Sequence, residues 1–196
     1  MNVGLYFGSF NPIHTGHLII ANHLAYTSPL DEVWFVISPQ NPFKKSSSLL
    51  NENHRFFLVQ EAIEGEKRLR ASRVEFNLPK PSYTIDTLTY LSEKYPAHHF
   101  HIIMGSDSFQ NLGKWKNGDV IARSYPVIIY KRPGYEITNL LNAHITIADA
   151  PLLEISSTRI RDMIRSGESI RYLVPDVVKE EIEKNNYYRD LKDPAK

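Results

Sequence analysis

One stretch constrains this chain more than any other: Gly8-Ser9-Phe10-Asn11-Pro12-Ile13-His14-Thr15-Gly16-His17. The apolar run at residues 3–7 reads as a strand ending at it, and residues 18–25 read as a helix leaving it. Such a joint leaves the first N–H groups of the helix without intrahelical partners, which makes an anion site. His14 and His17 stand three residues apart, a spacing that puts two imidazoles on one helical face as donors from the first turn. Gly8 lets the backbone turn and approach a ligand closely, and Gly16 keeps one helix face bare. The chemistry suited to the joint is the handling of phosphate. The same residues also fit exposed histidines among turn-forming glycines. A zinc site lacks an evident third ligand nearby.

A length of 196 residues suits one domain with at most a small appendage. A formal net charge of +1 argues against nucleic acid or a membrane surface as partner. Cysteine is absent, so disulfides and thiolate metal sites are excluded. No secretory leader pattern and no apolar run of bilayer length is evident, and a soluble cytoplasmic protein is expected.

Further strand-like runs fall at residues 32–38, 69–76, 100–105, 126–130 and 144–147. Helix-like runs fall at 53–63, 84–95, 157–166 and 175–185. Several strands are continuous apolar runs, the pattern of strands covered on both faces of a parallel sheet. The expectation is an α/β fold: a doubly wound, Rossmann-like parallel sheet with a small helical C-terminal subdomain. One domain spans residues 1–186, helical from about 157, with 187–196 as a flexible tail. The notable loops, 8–17, 38–48, 105–118 and 152–157, all follow strands, so they gather at the carboxyl edge where ligands bind in such sheets.

Ile155-Ser156-Ser157-Thr158-Arg159-Ile160-Arg161 opens a second helix. Ser156 or Ser157 can cap it, leaving amides, hydroxyls and Arg159 for an anion. Alone, the segment is equally an ordinary cap followed by surface arginines. Between the two motifs, Lys44 and Lys45 are either phosphate ligands or a solvated pair. Thr84 in Ser82-Tyr83-Thr84-Ile85-Asp86-Thr87-Leu88 is either a plain helix cap or part of a carboxylate site. Asp107 after Gly105 can accept from ribose hydroxyls. Trp115 can stack on an aromatic ring or anchor its loop on the core. Trp34, inside a strand, reads as packing. Arg132 can neutralise phosphate or sit on the surface.

His14-Thr15-Gly16-His17 resembles the His-x-Gly-His hallmark of the nucleotidylyltransferase superfamily, and the longer string is most similar to bacterial nicotinate-mononucleotide adenylyltransferases. Residues 155–161 resemble that family's ISSTxIR segment, 82–88 its SYTxDTL segment, Gly105-Ser106-Asp107 its GxD, and Arg132-Pro133-Gly134 its R-P-G. Phe43 departs from the family's Pro-His-Lys at Pro42-Phe43-Lys44. The resemblance implies transfer of the AMP moiety of ATP to nicotinate mononucleotide in NAD biosynthesis, giving nicotinate adenine dinucleotide and pyrophosphate. The mononucleotide phosphate attacks the α-phosphorus in line, with no protein nucleophile.

It further implies His14, His17 and Arg159 as catalytic. Gly8, Ser9, Phe10, His14, Gly16 and His17 would bind ATP together with Gly105, Asp107, Ile155, Ser156, Ser157, Thr158 and Arg159. Asn11, Lys44, Thr84, Trp115 and Arg132 would bind the mononucleotide. Magnesium would enter on the ATP phosphates rather than in a protein site. ATP and nicotinate mononucleotide are the expected partners, without nucleic acid or membrane, and a homo-oligomer is compatible. The rival readings are a sister adenylyltransferase for nicotinamide mononucleotide or another phosphorylated acceptor, and a non-catalytic nucleotide sensor on the same fold. The SYTIDTL segment and Trp115 speak against the first, and retention of both phosphate motifs against the second. A tRNA-charging domain shares the histidine signature, but no anticodon-reading appendage is evident.

Overall fold

A computed structural model describes residues 1–40, 48–137, 142–151 and 153–189. The apolar runs become parallel strands: β1 (Asn2–Gly8), β2 (Glu32–Ile37), β3 (Leu69–Ser72), β4 (His99–Gly105), β5 (Val127–Tyr130) and β6 (Ile145–Ala148). They pair in the order β3-β2-β1-β4-β5-β6, every pair parallel. Strand order reverses between β1 and β4, so the loops after Gly8 and Gly105 open on the crevice where doubly wound sheets bind ligands.

The helices are α1 (Thr15–Thr27), α2 (Glu52–Ala62), α3 (Thr84–Lys94), α4 (Ser106–Gln110), α5 (Gly118–Ser124), α6 (Ser157–Ser166) and α7 (Asp176–Lys184). They cover both faces, and the two-residue period of a strand divides the core between them. In β2, Val33, Phe35 and Ile37 join one cluster with Leu24 of α1, Leu58 of α2, Ile160 of α6 and Val178 of α7. Trp34 and Val36 join the other with Leu88 and Leu91 of α3, Phe109 of α4 and Ile121 of α5. Each fully buried side chain of this kind contributes about 1.5–3 kcal/mol. The helical C-terminal part thus shares the core of α1 and α2. No helix among the described residues is long and apolar enough to cross a membrane.

Three expectations are corrected. The strand expected over 69–76 stops at Ser72, and Val74–Asn77 forms a 3-10 turn that carries Glu75 inward. Residues 105–118, expected as a loop, contain α4 and a short turn at Leu112–Lys114, with α5 opening at Gly118; helices this short offer too few turns for periodicity to register. The tail does not begin at 187. Tyr188 is buried in the first core cluster, and the Tyr187 hydroxyl lies 2.9 Å from His54 Nδ1. Burial of an aromatic ring outweighs the polar composition around it. Residues 190–196 lie outside the described part.

Candidate active site

The first motif does not place both histidines on the helix. His14 is the extended residue just before α1 and caps it, its Nδ1 accepting from the His17 N–H at 3.4 Å. The two rings instead meet by stacking, centroids 3.6 Å apart and planes within 20°. Gly16 makes room for this: a Cβ there would lie 3.2 Å from His14 Nδ1. Burial, aided by the Arg132 charge, pulls the His14 pKa down to about 4. The ring is therefore neutral at pH 7. With Nδ1 accepting the cap bond, its proton sits on Nε2, giving an uncharged donor.

Gly8 serves a different purpose from the one expected. Its backbone is ordinary strand, and the space a Cβ would take is filled by the Phe10 ring, 2.8 Å away. Phe10 itself holds a left-handed backbone at φ 43°. Its ring lies edge-on to His17, centroids 5.1 Å apart, and Tyr6 makes a second edge contact to the same imidazole. His17 is seated among aromatic rings.

The second motif closes on the first. Ser156 caps α6 by accepting from the Arg159 N–H at 3.2 Å. Ser157 Oγ donates to the Pro12 carbonyl at 2.9 Å. Arg161, buried, donates to the Asn11 carbonyl at 2.8 Å. Segments more than 140 residues apart thus share one cleft of ≈ 740 Å³. Gly8, Ser9, Phe10, Asn11, His14 and His17 line it from one side, and Ser156, Ser157, Thr158 and Arg161 from the other, with Ile155 beside them. Asp107 and Arg132 complete it, with Arg132 Nε 3.4 Å from Asp107 Oδ1. Gly105 is bare because a Cβ there would collide with that carboxylate. An adjoining cavity of ≈ 310 Å³ is lined by Gly16, Ile20, Pro133, Tyr135 and Leu153.

Asn11 and Arg132 stand at the cleft, while Arg159, Thr84 and Trp115 line neither cavity. Arg159 is exposed on the first turn of α6; of the two arginines in this motif, Arg161 lines the larger cleft. Arg132 lines both cavities together with residues of the phosphate motifs. The Asn11 side chain is committed to the protein: Nδ2 donates to the Ser48 carbonyl and Oδ1 accepts from the Leu50 N–H. Lys44 falls outside the described residues. Thr84 is the first residue of α3 rather than its cap; Tyr83 holds the cap position and makes no side-chain cap bond. Trp115 is half-buried against the second core cluster. Its neighbour Lys116 bonds Asp86 at 2.9 Å and sits 4.7 Å over the Tyr83 ring, so the Trp115 segment and the start of α3 are joined.

Two further residues shape this end of the sheet. Arg55, fully buried, donates to the carbonyls of Ser9, Ser38, Pro39 and Leu50. Burial lowers its pKa to about 10, which leaves it charged. Glu75 accepts from Ser82 and Thr87. A signal for Arg55 was present: it shares a helical face with Leu58 and Val59, so it lies on the core side of α2.

A 3-2-1-4-5-6 sheet whose switch point brings two capped helix starts onto one cleft defines a nucleotide-binding α/β protein that handles phosphate. Comparison with known proteins narrows that class. The Cytidylyltransferase-like family matches residues 5–163. A "Probable nicotinate-nucleotide adenylyltransferase" of Cytophaga hutchinsonii is 52% identical over 190 residues, covering 96% of this chain and 98% of its own. The protein of the same name from Flavobacterium johnsoniae is 47% identical over 192 residues, covering 96% and 100%. A Plasmodium falciparum nicotinic acid mononucleotide adenylyltransferase, solved with NaAD, shares the fold at a TM-score of 0.83, with 22% identity and coverage of 97% and 98%. The chain belongs to the nicotinate-nucleotide adenylyltransferase family and is a nucleotidyltransferase.

Proposed function

We propose that this enzyme joins the AMP unit of ATP to nicotinate mononucleotide in the cytoplasm, as a step of NAD biosynthesis. The observation that carries the reading is the union of the two phosphate motifs on one cleft, tied by Ser157 Oγ to the Pro12 carbonyl. A phosphate oxygen of the mononucleotide forms a bond to the α-phosphorus of ATP. The bond from that phosphorus to the bridging oxygen breaks, and the electron pair leaves with pyrophosphate. The protein's part is positioning and charge stabilisation.

His17, seated by Phe10 and Tyr6, donates to the α-phosphate as charge grows there. Neutral His14 adds its Nε2–H. Thr158 and Arg161 face the departing pyrophosphate, and Arg159 joins them by turning its exposed side chain inward. The adjoining cavity beside Gly16 and Ile20 suits the flat adenine base. At the other end, the first amides of α3 at Thr84 take the nicotinate carboxylate and Trp115 packs on the ring.

Among the described residues, no group of three or more His, Asp or Glu could cage a metal. Magnesium fits as an ion carried on the phosphate oxygens, with Asp107 and Asp162 of the cleft within the same surroundings. When bound, it neutralises triphosphate charge. The test mixes protein, ATP and magnesium with nicotinate mononucleotide, nicotinamide mononucleotide or phosphopantetheine in turn, and follows pyrophosphate. Fastest release with nicotinate mononucleotide is expected. Preference for another acceptor removes the substrate assignment, and no release with any acceptor favours a sensor.

A further inference from the structure

Glu75 is 2% exposed and, among the described residues, has no cationic partner. Its Oε2 accepts from Ser82 Oγ at 2.6 Å and its Oε1 from Thr87 Oγ1 at 2.9 Å. Burying a carboxylate without a cation is expensive, and an apolar side chain of similar volume would fill the space more favourably. Ser82 lies two residues before α3 and Thr87 stands on its first turn, while Glu75 sits in the turn that follows β3. Together they pin the start of α3 to the carboxyl edge of the sheet. The leading amides of α3 carry no side-chain cap among the described residues.

We propose that Glu75 is a positioning residue for the acceptor. It holds the first turn of α3, and with it the Thr84 and Ile85 amides, in the orientation that receives the carboxylate on the acceptor's ring. The inference rests on the reading that α3 and Trp115 form the acceptor-base site. A purely structural acid would alter stability and leave substrate discrimination unmoved, so discrimination is the quantity to measure.

The experiment compares steady-state constants for both substrates in the wild type, Glu75→Gln, Thr87→Val, Ser82→Ala and Trp115→Ala. Gln keeps the volume and one acceptor oxygen but turns the other anchor into a donor. Glu75→Gln is expected to raise KM for nicotinate mononucleotide about tenfold and to erode the preference for acid over amide. KM for ATP should stay within about twofold. Thr87→Val and Ser82→Ala should give smaller changes of the same kind, and they carry the test if Glu75→Gln does not fold. Equal rises in both KM values, or a lower Tm with unchanged acceptor KM and preference, overturn the proposal. If Trp115→Ala raises the acceptor KM and the Glu75 set does not, the acceptor site stands and the role of Glu75 is lost. If Trp115→Ala also leaves it unmoved, the site reading fails and this inference with it.

Discussion

The helix starts at the two ends of the active edge are built differently. α1 and α6 are capped by their own sequence, through His14 and Ser156, and are bonded to each other through the Pro12 and Asn11 carbonyls. α3 has no side-chain cap, and its link to the Trp115 segment is an ion pair with both partners about 40% exposed. Each cap commits one leading amide to the protein, the His17 N–H in α1 and the Arg159 N–H in α6, so side chains supplement the amides that remain. An uncapped start still offers backbone N–H groups. On the proposed function, the phosphate end therefore works through histidine, hydroxyl and guanidinium groups, and the acceptor end through amides and ring surface on a looser frame.

The largest expected effect strikes what the two ends share. Arg55 gathers carbonyls from the phosphate loop at Ser9 and from the end of β2 at Ser38 and Pro39. Arg55→Met removes the donors and leaves buried carbonyls unpaired, a loss of about 3–5 kcal/mol in urea unfolding. Surviving protein should show raised KM for both substrates. A change confined to one substrate would mean that the ends do not share this support.

Next comes the phosphate end alone. His17→Ala should lower kcat by about 10²–10³-fold, the scale of losing one preorganised donor. Both KM values should hold near the wild type. A rise in KM for ATP with normal kcat would make His17 a ground-state ligand only.

A third prediction uses the neutrality of His14. Its folded pKa of about 4 lies below the ordinary 6.5 because the ring is buried. Between those values the unfolded chain binds the proton more readily, so stability rises with pH across this window. The contribution is complete above about pH 6.5 and is lost as pH falls toward 4, on the order of 3 kcal/mol in all. His14→Asn keeps an acceptor for the cap without a group titrating here, and its denaturation curves should be flatter over that range. Equal slopes in both proteins would mean that the ring is not held neutral.

The same contrast explains what could be read from residues alone. The phosphate motifs are contiguous strings at strand–helix joints, and the continuous apolar runs mark a buried parallel sheet. The helical phase was readable too. Ser157 and Arg161 are four residues apart, so they share the face that meets Pro12 and Asn11, while Arg159 points to solvent. That choice needs the location of the first motif, which is tertiary information. Glu75 was hidden inside a run that reads as strand, because its partners, Ser82 and Thr87, lie just before α3 and on its first turn. His14 looked helical because spacing alone does not separate a cap from the first turn.

The smallest effect belongs to the looser end. Lys116 and Asp86 stand 2.9 Å apart, but exposed pairs are screened by water and salt and contribute about 0–1 kcal/mol. Lys116→Ala should therefore shift the unfolding midpoint little. Lys116 also lies over Tyr83, beside the opening amides of α3, where its charge favours an approaching carboxylate. The variant should raise KM for nicotinate mononucleotide about two- to threefold at low salt, with the difference fading as salt increases. The nicotinamide form has no carboxylate on its ring and should be less affected. Equal changes for acid and amide acceptors, or a change indifferent to salt, would separate Lys116 from acceptor recognition and leave it a surface tie between α3 and the Trp115 segment.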